Sequence, residues 1–176
     1  MVDVKAKKKI LVVDDSPTAL SHAAALLEKD FIPVKAYSGL DGFKKAVAEF
    51  ATKRLNGAMI ERDREGRFER ELWEACAAFG IQGLPFPEAY GGGNADILTT
   101  MLTMEGLGYG CHDNGLIFGI NAQMWSVQMP IHSFGTEEQK RRYLPGLCNG
   151  SLIGAHAMSE PDSGSDAFSL RTRAER

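Results

Sequence analysis

The sequence is poor in cysteine and has no long apolar run. Its three cysteines, Cys76, Cys111 and Cys148, are widely spaced and form no C-x-x-C pair. This spacing argues against a disulfide framework or a zinc site and is typical of a reducing compartment. The apolar run at residues 10–13 is far shorter than a signal-peptide core or a membrane span. We therefore expect a soluble, cytoplasmic protein with no membrane partner.

The sequence also lacks a strong excess of charge of either sign. With 20 basic and 23 acidic side chains, the formal net charge is −3, so no basic field favours binding to nucleic acid. The apolar fraction of 44% and the charged fraction of 24% are those of an ordinary globular protein. A length of 176 residues predicts one domain or two small ones.

The first 43 residues predict a β–α–β unit. Residues 9–13 form a continuous apolar run, as in a buried strand. Ser16 is a suitable N-cap and Pro17 a suitable first residue for a helix over residues 17–29. Residues 31–37 predict a second strand, with Pro33 favouring an edge position.

Strand patterns become rare after residue 43, so the predicted fold class is mainly α. Apolar spacing predicts helices over 44–55, 67–79, 97–109 and 115–125, and a capping box begins another at Thr136. In the helix over 67–79, Phe68, Leu72, Ala75 and Phe79 are the expected apolar stripe. Residues 152–158 predict a strand.

The N-terminal segment resembles the opening of a response-regulator receiver domain. The resemblance rests on Ile10-Leu-Val-Val-Asp-Asp-Ser-Pro-Thr18 and Ala36-Tyr-Ser-Gly-Leu-Asp-Gly42. It implies that Asp14 and Asp15 bind Mg²⁺ beside an incoming phosphoryl group. The other interpretation is an acidic turn whose carboxylates favour the N-terminus of the following helix. The expected later βα repeats do not follow residue 43.

The rest of the chain resembles the N-terminal part of an acyl-CoA dehydrogenase. The matching motifs, in order, are Glu61-Arg-Asp63, Gly80-Ile-Gln-Gly-Leu-Pro85, Pro87-Glu-Ala-Tyr-Gly-Gly92, Glu105-Gly-Leu-Gly108, Phe134-Gly-Thr-Glu-Glu-Gln-Lys140 and Tyr143-Leu-Pro145. The resemblance implies an all-helical domain followed by the first strand of a middle β-barrel. The predicted divisions are 1–43 (receiver-like), 44–151 (helical domain) and 152–176 (start of the β domain).

The stretch Ala157-Met-Ser-Glu-Pro-Asp-Ser-Gly-Ser-Asp166 resembles the flavin-binding signature of that family. By motif position, Ser159 would bond to the flavin N5 region, and His156 and Met158 would lie beside the ring. Gly164 belongs to the same cofactor set, and Ser165 would touch both the flavin and the substrate. The other interpretation of these residues is an ordinary Ser/Gly turn after an edge strand.

The resemblance implies FAD-dependent α,β-dehydrogenation of a thioester carried by coenzyme A or by a carrier protein. It assigns neither the catalytic base nor the rest of the middle β-barrel to residues of this chain, so we expect the 176 residues alone to bind FAD weakly or not at all and to be inactive. A homo-oligomer or a complementing chain would complete the site. Two other functions remain open: a phosphorelay or interaction module that uses Asp14 and Asp15, and a non-catalytic fusion remnant.

Overall fold

The computed structural model describes residues 7–175, which form a small parallel sheet and a helical domain. The sheet unit comprises β1 (Lys8–Val13), α1 (Pro17–Leu27) and β2 (Phe31–Ala36). The helices that follow are α2 (Gly39–Arg54), α3 (Met59–Glu65), α4 (Arg70–Ala78), α5 (Ile97–Gly110), α6 (Asn114–Gln123), α7 (Met129–Phe134) and α8 (Glu137–Cys148). A π-helical turn, Met124–Gln128, joins α6 to α7, and short 3₁₀ turns lie at Glu88–Tyr90 and Ala167–Ser169.

The predicted β–α–β order is present at the N-terminus. Strands β1 and β2 pair in parallel from Lys8↔Phe31 to Val13↔Ala36. The Ser16 hydroxyl caps α1 by accepting the N–H of Ala19, and Pro17 is its first residue, as predicted. Within residues 7–175 no third strand joins this sheet, so the resemblance to a receiver domain is not confirmed.

Helix α2 packs on the sheet with one face and on α5 with another. A Cβ added at Gly42 would lie 3.0 Å from the Val13 side chain and 3.4 Å from that of Ala36. On its other face Val47 and Ala51 are fully buried in the core of the helical domain. The sheet and the helical domain therefore share one helix.

The core of the helical domain lies between α2, α4, α5 and α6, around Trp73, Leu107, Ile120 and Met124. The face of α4 that points inward differs from the predicted stripe. Its buried residues are Trp73, Cys76 and Ala77, whereas Phe68 is 56% exposed. The prediction was correct in part: Leu72 of the stripe is partly buried and packs against the core, but the buried face is centred on Trp73 and not on the phenylalanines.

Local signals placed several helix boundaries correctly. The Asp96 carboxylate caps α5 through the N–H of Thr99, and Thr136 and Gln139 form the predicted capping box of α8. Gly80, which follows α4, has a φ of 93°, a left-handed conformation that glycine adopts without a Cβ clash. These ends are correct because each depends on side chains within a few residues.

The predicted strand over 152–158 does not form. These residues have extended or irregular backbone, and most of them are exposed. A strand needs a neighbour to accept and donate its ladder hydrogen bonds, and no segment of residues 7–175 pairs with this one.

Candidate functional site

The candidate site is the segment 156–165, and the helix beside it contains a π-helical turn between two buried glutamines. Gln123 ends α6 and Gln128 ends the turn, and both side chains are almost completely buried. At about 100° per residue, side chains five apart on an α-helix point in different directions, whereas the wider π turn brings them towards the same face. Here the Gln123 Nε2 lies 3.4 Å from the Gln128 Oε1.

The two glutamines connect several parts of the interior. The Gln128 amide donates to the Gln82 carbonyl oxygen at 3.0 Å, and the Gln82 amide donates to the Trp73 carbonyl oxygen at 2.9 Å. The Gln123 amide donates to the Leu147 carbonyl oxygen at 3.2 Å, at the end of α8. Buried polar groups are usually paired, and the network pairs the side-chain amides of Gln123 and Gln128, whereas the Oε1 of Gln82 has no hydrogen-bond partner among the described residues.

Gln123 also reaches the segment that follows α8. Its Oε1 accepts the N–H of Gly154 at 2.8 Å. The backbone approaches the helix closely here, because a Cβ at position 154 would lie 2.7 Å from the Val127 Cγ1. Only glycine allows this contact without displacement, so the chain is held against the π turn two residues before His156.

Beyond Gly154 the chain forms a loop that is closed by its own hydrogen bonds. Glu160 and Ser163 form an antiparallel bridge, with N–H to O distances of 2.9 and 3.1 Å. The Ser163 side chain is buried, and its hydroxyl donates to the Asp166 carbonyl oxygen at 2.6 Å. Ser159 precedes this bridge and Gly164 follows it. The bridge therefore brings the two residues onto adjacent stretches of backbone.

The Glu160 carboxylate ties the loop to the residues that follow it. It accepts the N–H groups of Arg171 and Thr172 at 2.8 Å each, and the Thr172 hydroxyl donates to it as well. The Thr172 hydroxyl and these two backbone N–H groups hold the pKa of Glu160 below its usual value. Glu160 is thus occupied in closing the loop, although it is the carboxylate of the signature nearest to Ser159.

All five residues predicted to bind the cofactor lie on this segment and are exposed. They are His156, Met158, Ser159, Gly164 and Ser165. The Met158 side chain is 42% exposed, and nothing lies within 4 Å of a Cβ built on Gly164. The segment therefore presents apolar, hydroxyl and small residues on an open surface, and their roles stay predictions.

Sequence reasoning missed the side chains that shape the segment, namely Gln123, Glu160 and Ser163. The stretch from Asn121 to Val127 reads as ordinary apolar packing, and one polar residue within it gives no sign of its partner. The available signal was the pair of glutamines five residues apart in an apolar helix, a spacing that points both side chains towards the same face when the helix contains a π turn.

The predicted Mg²⁺ site at Asp14 and Asp15 is not supported. The Asp14 Oδ1 accepts the N–H of Ser16 at 2.8 Å, as a turn carboxylate does. Across residues 7–175 no group of three or more His, Cys, Asp or Glu side chains could hold a metal ion. Mg²⁺ prefers a near-octahedral set of oxygen ligands, and the pair lacks the further side-chain carboxylates that a receiver domain would provide. The prediction followed the local motif, whereas the remaining ligands would have to come from distant parts of the fold.

Two clefts in the described part of the chain lie away from this segment. One, of about 550 Å³, is lined by residues of α3 and of the α5–α6 connection, including the buried Arg62 that pairs with Asp113 at 2.8 Å. None of the five predicted cofactor residues lines it. The cleft therefore gives no support to any of the predicted roles.

No helix among residues 7–175 has the length and apolar character needed to cross a membrane.

Comparison with known proteins identifies the family. The family model "Acyl-CoA dehydrogenase, N-terminal domain" matches residues 40–151. An L-prolyl peptidyl-carrier-protein dehydrogenase of Pseudomonas fluorescens is 38% identical over 128 residues, which cover 73% of this chain and 33% of the relative. The chain thus spans about a third of the length of the curated relatives it matches.

Solved structures are similar over the same region. The prolyl acyl carrier protein oxidase AnaB aligns with a TM-score of 0.74 and 49% identity, over 78% of this chain and 36% of that one. The structure described as PigA with FAD and proline aligns with a TM-score of 0.73 and 33% identity, over 78% and 36% of the two chains. The chain therefore belongs to the acyl-CoA dehydrogenase family, whose N-terminal domain its residues 40–151 match.

Proposed function

We propose that this chain supplies flavin-binding and thioester-binding residues to an FAD-dependent dehydrogenase. The observation that carries the proposal is the open segment 156–165, which directly follows the family's helical domain and is held to it by Gly154. We further propose the division into a sheet unit at 1–43, which includes the first turn of the shared helix α2, a helical domain at 44–151 and a flavin-bearing segment at 152–176.

The exposed residues of the segment suit an isoalloxazine ring and its phosphates. Met158 would supply an apolar contact beside the ring, and His156 would lie on the same stretch of chain, where the family more often has an aromatic residue. The Ser159 hydroxyl would bond to the polar edge near N5. The open surface at Gly164 leaves room for close approach of the backbone, and Ser165 would contact both flavin and substrate.

The proposed reaction removes two hydrogens from the α and β carbons of an acyl thioester. When bound, FAD supplies the acceptor for the β hydrogen, which leaves as a hydride while a base takes the α proton and a carbon–carbon double bond forms. We assign that base to no residue of this chain. The role proposed for these residues is to bind and orient the flavin and the thioester.

The substrate we favour is an acyl group carried on a carrier protein. Two of the similar proteins described above are named for prolyl groups on carrier proteins, and one of them is 49% identical to this chain. A coenzyme A thioester is the other candidate, because it gives the family its name. Assays with a proline-loaded carrier protein and with butyryl-CoA, each with a dye as electron acceptor, would distinguish the two in a complete enzyme that contains these residues.

The cofactor proposal is tested by photolabelling with 8-azido-FAD. Trypsin cleavage at Arg142 and Arg171 releases a peptide that contains all five proposed residues. We expect the label on this peptide, competed by unlabelled FAD, and reduced in a Ser159→Ala variant. Ser133→Ala, which removes an exposed hydroxyl from α7, is the matched control. Label spread over the helical domain, or not competed by FAD, would contradict the proposal.

We also propose that a second copy or a complementing chain covers part of this surface. The side chains of Phe118, Phe134 and Phe168 are 74%, 89% and 101% exposed. Association that covered these side chains would remove their apolar surface from water, which is favourable. Sedimentation velocity over a range of concentrations would test it, and a strictly monomeric chain would contradict the second-copy form.

A further inference from the structure

Between Leu152 and the segment 156–165, one side chain of the helical domain, that of Gln123, hydrogen-bonds the backbone. After Leu152, whose N–H donates to the Gly146 carbonyl oxygen at 2.9 Å, the next hydrogen bond from this segment to the helical domain is that of Gly154 to Gln123. Among the described residues, 155–159 make no hydrogen bond to the helical domain. Gln123 is therefore the last fixed point before His156, Met158 and Ser159.

The position of the Gln123 side chain is determined at both ends of its amide. The Nε2 donates to the Leu147 carbonyl oxygen at 3.2 Å and lies 3.4 Å from the Gln128 Oε1, which leaves the Oε1 directed at Gly154. The side chain is 1% exposed, so it has no room to adopt another rotamer without breaking these contacts. An α-helical path in place of the π turn would rotate Gln128 away from Gln123.

We propose that Gln123 is a positioning residue that fixes where the flavin-bearing segment leaves the helical domain. The π turn orients the Gln123 side chain for this contact. The proposal rests on the proposed function, because it gives the segment its role. Gln123 acts through the Gly154 backbone and through the contact of Gly154 with Val127. It has no assigned contact with flavin or thioester.

The test compares two variants of buried glutamines by hydrogen exchange. Gln123→Met removes the acceptor of the Gly154 N–H with little change of volume. Gln82→Met, the matched control, removes a fully buried glutamine amide that bonds the Trp73 carbonyl oxygen and leaves both Gln123 and Gln128 in place. We expect the Gly154 amide of the Gln123 variant to exchange roughly three- to tenfold faster than in the Gln82 variant, as loss of one hydrogen bond implies. Core amides such as those of Leu107 and Ile120 should change equally in both variants.

Two outcomes would overturn the proposal: equal exchange at Gly154 in both variants, or a Gly154 amide that is already unprotected in the natural sequence. If Gln123→Met fails to fold, Gly154→Ala serves instead, because its Cβ would lie 2.7 Å from the Val127 Cγ1 and displace the segment from the helix. Faster exchange at position 154 is then expected, and an unchanged rate would overturn the proposal.

Titration with FAD separates this proposal from the proposed function. If the natural chain binds FAD, Gln123→Met should weaken binding and Gln82→Met should not; equal weakening would overturn the positioning role. If the natural chain binds no FAD, the cofactor proposal fails for this chain, and hydrogen exchange alone decides the role of Gln123.

Discussion

Single side chains decide the parts of this structure that the sequence pattern does not reveal. Gln123 and Gln128 lie in a stretch that reads as apolar packing, and each contacts residues more than 20 positions away. A polar residue inside an apolar helix has a partner that only the tertiary structure defines. The capping residues Ser16, Asp96 and Thr136 were predictable because their partners lie three positions along the chain.

At this scale, the three cysteines should react slowly in the folded chain. Burial raises the pKa of Cys76 to about 12 and that of Cys148 to about 11, and burial also raises the pKa of Cys111. Only the thiolate is a strong nucleophile, so at pH 8 we expect reaction with Ellman's reagent on the order of a hundredfold slower than in the unfolded chain.

The measurement compares the native chain with the chain in urea, in which all three thiols should react quickly. A folded chain in which any cysteine reacts at the unfolded rate would contradict the buried environment of that side chain. Repeating the reaction at increasing urea concentrations shows whether each thiol becomes reactive through local opening or through global unfolding.

Glu160 should make closure of the signature loop dependent on pH. Its hydrogen bonds with Thr172 and the Arg171 backbone lower its pKa in the folded state. A lowered pKa stabilises the closed loop fully above the unfolded value of 4.5, and the stabilisation is lost as the pH falls through the folded pKa. Exchange at the Arg171 and Thr172 amides, measured relative to the core, should therefore increase as the pH falls below about 4.5.

Glu160→Gln provides the control for this effect. It keeps an oxygen acceptor but cannot be protonated in this range, so loop protection should be weaker at neutral pH and should no longer change with pH. Asp162→Asn, which alters the neighbouring exposed carboxylate that pairs with Arg171 at 3.1 Å, should keep the pH dependence. If the Glu160→Gln loop retains it, another group is responsible.

At the scale of elements, helices were predictable and the last strand was not. The spacing of apolar residues and the local caps define a helix within its own sequence. A strand at 152–158 depends on a partner strand, and its own sequence contains no information about which one. The same limit explains why α4 was found while its inward face was predicted only in part.

The crossing of α2 and α5 should be highly sensitive to one glycine and tolerant at another. A Cβ at Gly110 would lie 2.2 Å from the Ala48 carbonyl oxygen, whereas at Gly108 nothing lies within 4 Å. We expect Gly110→Ala to lower the free energy of unfolding by roughly 1–3 kcal/mol because of overpacking. Gly108→Ala should raise it by up to about 1 kcal/mol through reduced backbone entropy in the unfolded chain.

Urea unfolding followed by circular dichroism measures both changes in the same helix. Equal effects of the two substitutions would show that helix propensity dominates and that the close approach of α5 to α2 does not form in solution.

At the scale of the whole molecule, the sequence predicted the mainly helical class and the family, while the receiver resemblance at the N-terminus is not confirmed. Motifs spread in order from Glu61 to Pro145 depend on the entire domain, which makes their joint match specific. The pair Asp14–Asp15 is one short motif, and its Mg²⁺ site would need ligands that the described residues do not supply.

The two-stranded sheet should depend on the helical domain for its stability. Isolated two-stranded units are marginal in water, and here α2 covers one face. We expect a peptide of residues 1–54 to be largely unfolded by circular dichroism, and a chain of residues 38–176 to keep its helical signal. A folded peptide, or a chain that loses its helices without the sheet, would contradict this dependence.

Helix α2 also determines how the sheet can move. Its sheet-facing side, with Glu49 paired to Lys9 at 3.0 Å, and its α5-facing side, with Val47 and Ala51, cover the same length of helix. Because the same turns of α2 contact both the sheet and α5, no flexible connection separates the two sets of contacts. A spin label on the sheet would therefore report the rotational tumbling of the helical domain, and independent swinging of the sheet would require α2 itself to unwind.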